Sequence, residues 1–228
     1  MELQHGRKNR GTEADYKELA RLGALLGVPV PEVFVGWEVA RKGAVLVRGR
    51  SRSHTWNRNY WNEVLMVLAG TPLVATNFGA GYISMKQIGG TVTAISPNDY
   101  KFNLPAVAGA TNMHITVGTG TGAESFEGYA MGTLIAHGNG AGQLNYLASE
   151  TPEQTYVAET KIWTIRLKRY MDNNSGGSIG VEEVALNCKL TNPTYYYMIS
   201  RDKLASTLNV PAASRLTMYY DLALTFPA

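Results

Sequence analysis

The stretch that decides the fold is residues 216–226, Leu-Thr-Met-Tyr-Tyr-Asp-Leu-Ala-Leu-Thr-Phe, near the end of a chain of 228 residues. Large apolar side chains occupy every second position, which is typical of a β-strand that turns one face to a core. Burying six such side chains gains roughly 9–18 kcal/mol in gross terms, whereas the net stability of a domain is about 5–15 kcal/mol. We therefore predict an integral core strand. Its inward face carries Leu216, Met218, Tyr220, Leu222, Leu224 and Phe226.

Several shorter strand patterns precede this one, and turn signals separate them. Asn173–Gly177 (Asn-Asn-Ser-Gly-Gly) is a strong hairpin signal, and Asn192-Pro193 marks another reversal. Strand patterns without alternating helices predict a mainly β fold, built as an antiparallel β-sandwich or jelly roll. The candidate strands cover residues 91–96, 113–118, 156–170, 179–190, 194–201 and 216–226.

The N-terminal third of the chain has a different pattern. Thr12 can cap a helix that runs to Leu26, and Arg41-Lys42-Gly43 can turn a hairpin. A second helix is predicted from about residue 55 to 69, because apolar residues recur at helical spacing there. The predicted units are a flexible basic arm over 1–11, a helix–hairpin–helix region over 12–70 and a β-sandwich domain over 71–228.

The composition is poor in charge and rich in large aromatic residues. Charged residues make up 17% of the chain, and thirteen tyrosines accompany four tryptophans, whereas an ordinary soluble domain has about 25% charged residues. Two interpretations remain open: a surface that other chains cover, or a well-filled β core. The net charge of +3 is too small to predict nucleic acid as a partner.

Cysteine usage and hydropathy restrict the compartment and the kind of site. Cys188 is the only cysteine, so the chain can form no internal disulfide and no cysteine-based zinc site. No apolar run approaches eighteen residues, and the basic N-terminus lacks the apolar segment of a signal peptide. We therefore expect no membrane partner and synthesis in a cytoplasm.

Motifs that carry catalysis are not found in the sequence. The run Val117–Gly122 is rich in glycine, but its G-x-G-x-G spacing does not match a dinucleotide or phosphate loop. His137 lies beside three glycines without the companions that a metal site requires. We expect no enzyme activity, no cofactor and no metal, and keep a hydrolase at His137 with Glu124 or Glu127 as a minor alternative.

Five short segments carry a resemblance to virion proteins of tailed bacteriophages. The first, residues 51–61, is Ser-Arg-Ser-His-Thr-Trp-Asn-Arg-Asn-Tyr-Trp and follows the predicted hairpin. The others are Val-Gly-Thr-Gly at 117–120, Ile-Ala-His-Gly at 135–138, Asn-Asn-Ser-Gly at 173–176 and Ser-Arg-Asp-Lys-Leu at 200–204. The resemblance spans about residues 33–226 and leaves out the basic arm and the first helix. It implies a non-enzymatic subunit built on a β-sandwich, commonly within symmetric multimers.

These observations predict a structural subunit of a phage virion, in the capsid decoration or in the tail or fibre, assembled in the host cytoplasm. Its partners would be copies of itself and other virion proteins, held through apolar and aromatic surfaces. A carbohydrate-binding module for host attachment, with a host glycan as ligand, is the alternative. The predicted interface residues are Trp56, Tyr60, Trp61, Tyr195, Tyr196, Tyr197, Arg50, Arg52 and Arg58.

Overall fold

The computed structural model describes residues 13–53, 55–69, 84–94, 103–191 and 194–226. Within these residues the protein is mainly β, with antiparallel sheets, as the sequence predicts. The helices are α1 (Glu13–Leu26) and α2 (Arg58–Ala69). The strands are β1 (Val30–Arg41), β2 (Ala44–Arg52), β3 (Ser84–Lys86), β4 (Val92–Ala94), β5 (His114–Gly118), β6 (Asn145–Ser149), β7 (Glu153–Val157), β8 (Ile162–Asn173), β9 (Ile179–Thr191), β10 (Thr194–Val210) and β11 (Ser214–Thr225).

The largest sheet has six strands, and the strand predicted from residues 216–226 lies inside it. Its order is β2-β1-β11-β8-β6, and β7 also pairs with β8. Leu216, Met218 and Tyr220 are fully buried, which confirms the predicted inward face over the first half of β11. Leu222 is partly buried, and Phe226 at the far end is 38% exposed. The inward face therefore emerges at the surface towards the C-terminus.

The first hairpin belongs to this same sheet. Lys42 and Gly43 have φ angles of 51° and 80°, the left-handed values that a tight two-residue hairpin turn requires, and the predicted turn is confirmed. β1 pairs with β11 from Val30 to Ala40. A separate helix–hairpin–helix region is therefore not supported, while the domain boundaries at residues 12, 70 and 71 stay predictions.

One apolar core contains residues of the six-stranded sheet and of a three-stranded sheet of order β10-β9-β5. Val35 and Met218 come from the larger sheet, and Leu186 and Val210 from the smaller one. Cys188 is fully buried in this core, and burial raises the pKa of its thiol. A hydrogen bond also joins the two sheets, because the Tyr220 hydroxyl lies 3.1 Å from Asp202 Oδ2.

Three elements differ from the predictions by more than two residues at a boundary. The strand predicted over 156–170 is two strands, β7 and β8, which pair with each other. The strand predicted over 194–201 continues to Val210. The second helix starts at Arg58 rather than 55, because Trp56 forms a backbone bridge with Ser200 of β10. The predicted basic arm, 1–11, lies outside the described residues.

Candidate functional site

An apolar groove of about 390 Å³, which we call the aromatic groove, lies between α2 and the six-stranded sheet. Residues that precede or belong to α2 line one side, and residues of β1, β8 and β11 line the other. A volume of this size with few polar groups is typical of a binding site. The rings that line it are Tyr16, Trp56, Tyr60, Trp61 and Trp163, and the aliphatic side chains are Val33, Ile165, Leu222 and Leu224.

The start of α2 positions three of these rings. Asn57 holds this turn: its Oδ1 accepts a hydrogen bond from Tyr60 N at 3.3 Å, and its Nδ2 donates to Met198 O at 2.7 Å. A side-chain oxygen that receives an amide of the first turn is the usual helix cap. The ring centroids of Trp56 and Tyr60 are 4.2 Å apart, and those of Tyr60 and Trp61 are 5.2 Å apart. Burial in this cluster raises the pKa of Tyr60.

Arg52 forms the polar end of the groove and ties α1 to the sheet. Its guanidinium lies 2.6 Å from Glu32 Oε1 and 3.0 Å from Glu13 Oε1, and its side chain is only 10% exposed. The guanidinium also stacks on the rings of Tyr16 and Phe34, at 4.2 Å and 4.7 Å from their centroids. Two carboxylates and two rings therefore fix the position of this cation and, through Glu13, the start of α1.

Exposed apolar side chains continue from the groove across one side of the molecule. Tyr156 lies opposite Trp163 in the β7–β8 pair, and its ring centroid is 6.5 Å from that of Phe226. Phe226 and Val28 line a second cavity of about 140 Å³, and Glu32 borders both cavities. We call this surface the apolar face. It consists of Val28, Trp61, Tyr156, Trp163 and Phe226, which are between 38% and 59% exposed.

The structure brings only part of the predicted interface together. Trp56, Tyr60, Trp61 and Arg52 all line the aromatic groove. Arg58 instead forms an ion pair with Glu127.

Arg50 lies in a separate polar depression beside Arg166 and Asp221, with its guanidinium 3.8 Å from the Phe34 ring centroid. The roles of Arg50 and Arg58 at an interface stay predictions.

The three consecutive tyrosines are not part of the groove. Tyr197 is fully buried in the core, so its ring is not on the molecular surface, and burial raises the pKa of its hydroxyl. Tyr195 and Tyr196 are half-buried, and the ring of Tyr195 packs at 6.4 Å against that of Tyr197. Because Ile88 N donates a hydrogen bond to Tyr196 O, this stretch of β10 is covered by the chain itself.

Sequence reasoning missed Trp163 and Tyr16 as groove residues. Trp163 faces Leu224 across the β8–β11 pair. The alternation in residues 216–226 predicted the inward face of β11, but the register that aligns Trp163 with Leu224 depends on tertiary pairing.

The glycine-rich run after β5 is bound by a buried carboxylate. Glu183 is fully buried, and its carboxylate accepts hydrogen bonds from Gly120 N at 3.0 Å, Thr133 N at 2.9 Å and Gly132 N at 3.2 Å. Arg201 Nε lies 2.5 Å from the same carboxylate. These loop amides, which resemble an anion-binding nest, are therefore engaged by the chain itself.

The hydrolase alternative requires His137 to act with Glu124 or Glu127, but each of these side chains bonds a different partner. His137 Nδ1 accepts a hydrogen bond from Tyr146 N at 3.2 Å, and Glu124 accepts one from Lys203 N at 2.6 Å. Glu127 is paired with Arg58. Across the described ranges, no three His, Cys, Asp or Glu side chains gather closely enough to hold a metal ion.

A buried histidine lies at the start of β5. His114 has a φ of 57° and is 1% exposed, and neither ring nitrogen has a hydrogen-bond partner among the described residues. Desolvation by burial, together with the nearby Arg169 charge, lowers its pKa from 6.5 to about 4. The folded state therefore keeps this imidazole neutral at pH values where the unfolded chain takes up a proton.

We expect His114 to make the protein less stable as the pH falls from 6.5 to 4. In this window the unfolded state binds more protons, so the free energy of unfolding decreases by about 3 kcal/mol in total at 1.36 kcal/mol per pKa unit. Urea unfolding at steps of pH, compared with His114→Asn, measures this contribution, because asparagine tolerates a positive φ and does not titrate. Parallel pH profiles for the two proteins would contradict the assignment.

Comparison of the chain with protein-family models, with curated proteins and with solved structures found no significant match. Among the described residues, neither helix is long and apolar enough to span a membrane.

Proposed function

We propose that this chain is a structural subunit of a tailed-bacteriophage virion, which is assembled in the host cytoplasm and acts by binding rather than by catalysis. Its partners are copies of itself and other virion proteins. The observation that carries the proposal is the apolar face, on which five large apolar side chains are exposed in and beside the aromatic groove. We take the class of assembly from the resemblance predicted for residues 33–226 in the sequence analysis.

The composition of this face supports a protein interface. Its aromatic members are Trp61, Tyr156, Trp163 and Phe226, and such aromatic residues are enriched at the centres of interfaces, where they supply most of the binding energy. The charged groups that border the groove are already paired, because Arg52 binds Glu32 and Glu13. A partner can therefore cover the groove without burying an unpaired charge.

We further propose that the two larger sheets form a β-sandwich of the kind expected for such subunits. Two observations support it: the core contains side chains from both sheets, and the Tyr220 hydroxyl bonds Asp202 of the other sheet. Every strand pairing within these two sheets is antiparallel, which is the usual arrangement in a β-sandwich.

Analysis of purified particles tests the function. Particles released from cells that carry the encoding genome are purified on a density gradient, and their proteins are quantified by mass spectrometry. We expect the chain at a fixed ratio to the major capsid protein. A chain that is abundant in the lysate but missing from the particles would overturn the proposal.

A carbohydrate-binding module is the second candidate, and exposed tryptophans favour it. Trp61 and Trp163 present rings in a groove that also contains Glu32, and such rings can stack on the apolar face of a sugar. Binding to a glycan array that is lost in Trp163→Ala would support this candidate. An array without any bound glycan would remove it.

A further inference from the structure

Segments outside the strands close several edges of the two larger sheets. They form backbone hydrogen bonds along the outer edges of β5 and β6 and along part of β10. A covered edge offers no free backbone groups to another chain. The covering segments are residues 133–135 on β5, 106–109 on β6 and 55–57 on β10.

Two outermost strands of the six-stranded sheet remain open along their outer edges. β2 pairs with β1 alone, and β7 pairs with β8 alone. Within the described ranges, no other backbone hydrogen bond reaches the outer edge of either strand. Such an edge presents unpaired N–H and C=O groups, with which a further strand can pair. Since β2 and β7 lie at opposite ends of one sheet, each copy of the chain carries two edges of this kind.

The two open edges carry opposite charge. Residues 41–52, which contain β2, include five Arg or Lys side chains and no Asp or Glu. Residues 149–160, which contain β7, include three Glu side chains and no Arg or Lys. Arg48 on the first edge and Glu159 on the second are exposed, and neither forms an ion pair within the described part of the chain.

These charges select which edges can meet. Pairing β2 with β2 would bring Arg side chains together, and pairing β7 with β7 would bring Glu side chains together. Like charges across a strand pair are destabilising, whereas pairing β2 with β7 brings opposite charges together. One chain cannot make this contact with itself, because β1, β11 and β8 separate its own β2 and β7. A second copy therefore supplies the complementary edge.

We infer that β2 of one copy pairs antiparallel with β7 of the next copy, which continues the six-stranded sheet from subunit to subunit; this inference rests on the proposed assembly role. Antiparallel pairing is the arrangement of every strand pair within the sheet. Because the contact joins two different edges, it is heterologous and repeats into a ring or an open series of copies.

One register aligns the faces of the two sheets, with Val47 opposite Tyr156. Within the chain, Val47 lies opposite Val39 in the β1–β2 pair, and Tyr156 lies opposite Trp163 in the β7–β8 pair. Both side chains therefore lie on the inner face of the sheet, which carries the core residue Val39 and the groove residue Trp163. Val47 and Tyr156 are 41% and 59% exposed, so their contact removes apolar surface from water.

Charge-altered variants test each edge in the full chain. Sedimentation velocity and light scattering should show wild-type oligomers larger than a dimer as the concentration rises. The β2 variant, Lys42→Asp with Arg48→Glu, and the β7 variant, Tyr156→Lys with Glu159→Lys, should each weaken this association roughly tenfold or more. Circular dichroism checks that both are folded. The control with the same change in charge as the β2 variant is Lys17→Asp with Arg21→Glu, on exposed positions of α1.

Mixing the β2 variant with the β7 variant tests whether these two edges meet each other. Every junction within either variant alone contains one altered edge. In the mixture, the unaltered β2 of one protein meets the unaltered β7 of the other, and the two altered edges are again opposite in charge. We therefore expect association to recover to near the wild-type level. A contact of β2 with β2 would instead leave the β7 variant fully associated on its own, which would overturn the inference.

Disulfide trapping tests the register. Val47→Cys mixed with Tyr156→Cys should give a cross-linked dimer under mild oxidation, because directly opposite residues bring their β carbons within about 4.5–5.5 Å. Thr155→Cys is the control, since residue 155 lies on the other face of β7 and should not link to Val47→Cys. The native Cys188 is fully buried and does not compete. Preferential linkage of Val47→Cys to Thr155→Cys would overturn the register.

A wild-type chain that stays monomeric at all concentrations, or a mixture of the two variants that fails to associate, would also overturn the inference. A monomeric chain that is nevertheless found in purified particles would remove this inference alone and leave the proposed function standing. A chain that associates through these edges but is missing from the particles would overturn the proposed function and leave the strand contact in place.

Discussion

Replacing Arg169 by methionine should lower the free energy of unfolding by about 3–5 kcal/mol, because it removes the donor of several buried carbonyl groups, and a buried polar group left unsatisfied costs about 1–3 kcal/mol. The Arg169 side chain is fully buried, and it donates hydrogen bonds to backbone carbonyls alone. The five acceptors are the carbonyl oxygens of Val107, Ala110, Met113, Ile115 and Leu147, at 2.7–3.3 Å. Methionine fills a similar volume but leaves all of them without this donor.

The carbonyls belong to segments that lie 22–62 residues from Arg169 in the sequence. Arg169 belongs to β8 of the six-stranded sheet, whereas Ile115 belongs to β5 of the three-stranded sheet. Burial lowers the pKa of Arg169 to about 10, so the side chain is charged at neutral pH and its hydrogen bonds are charge-assisted. Removing it should loosen the contact between the sheets as well as the segment 107–115.

Urea unfolding measures the loss, and Arg215→Met is the matched control. Arg215 is an exposed arginine of β11 paired with Asp172 at 2.7 Å, and exposed ion pairs contribute about 0–1 kcal/mol. Arg169→Lys should fall between the two, because lysine keeps the charge but has three donors instead of five. Equal effects of Arg169→Met and Arg215→Met would contradict the role assigned to Arg169.

Glu183→Ala should have an effect of similar size, about 3–5 kcal/mol. The substitution leaves three loop amides and the Arg201 guanidinium without their shared acceptor. Because those amides belong to Gly120, Gly132 and Thr133, the first consequence should be faster hydrogen exchange across residues 118–134.

The neighbouring carboxylate provides the control. Glu182 points to the other side of β9 and accepts a hydrogen bond from the Thr207 hydroxyl at an exposed position, so Glu182→Ala should change stability by less than about 1 kcal/mol. A double-mutant cycle with Arg201→Met separates the ion pair from the amide bonds. Unchanged exchange over 118–134 in Glu183→Ala would show that the carboxylate does not hold the loop.

Much of the fold could be predicted from local patterns. The alternation in residues 216–226 and the turn at Lys42-Gly43 depend on residues close together in sequence, and the structure contains both. The second helix was predicted three residues too early, because the bridge between Trp56 and Ser200 links residues 144 positions apart.

Less of the candidate site could be predicted from local sequence patterns. Tyr60 and Trp61 are adjacent in α2, and Trp56 lies only four residues before Tyr60, so the proximity of these rings follows from their closeness in the sequence. Tyr197 shows the limit: a strand places consecutive tyrosines on opposite faces, but which face is buried depends on the layer that packs there. In the structure, the buried face of β10 is the one that carries Tyr197.

The sequence alone was sufficient for the mainly β class, the core face of β11 and the clustering of rings at the start of α2, since each is set by residues a few positions apart. Tertiary structure decided that Trp163 and Leu224 complete the groove, that Arg169 and Glu183 bind distant backbone segments, and that the leucines of α1 face outward. The physical reason is that these features depend on strand register and burial, which bring together residues far apart in the chain.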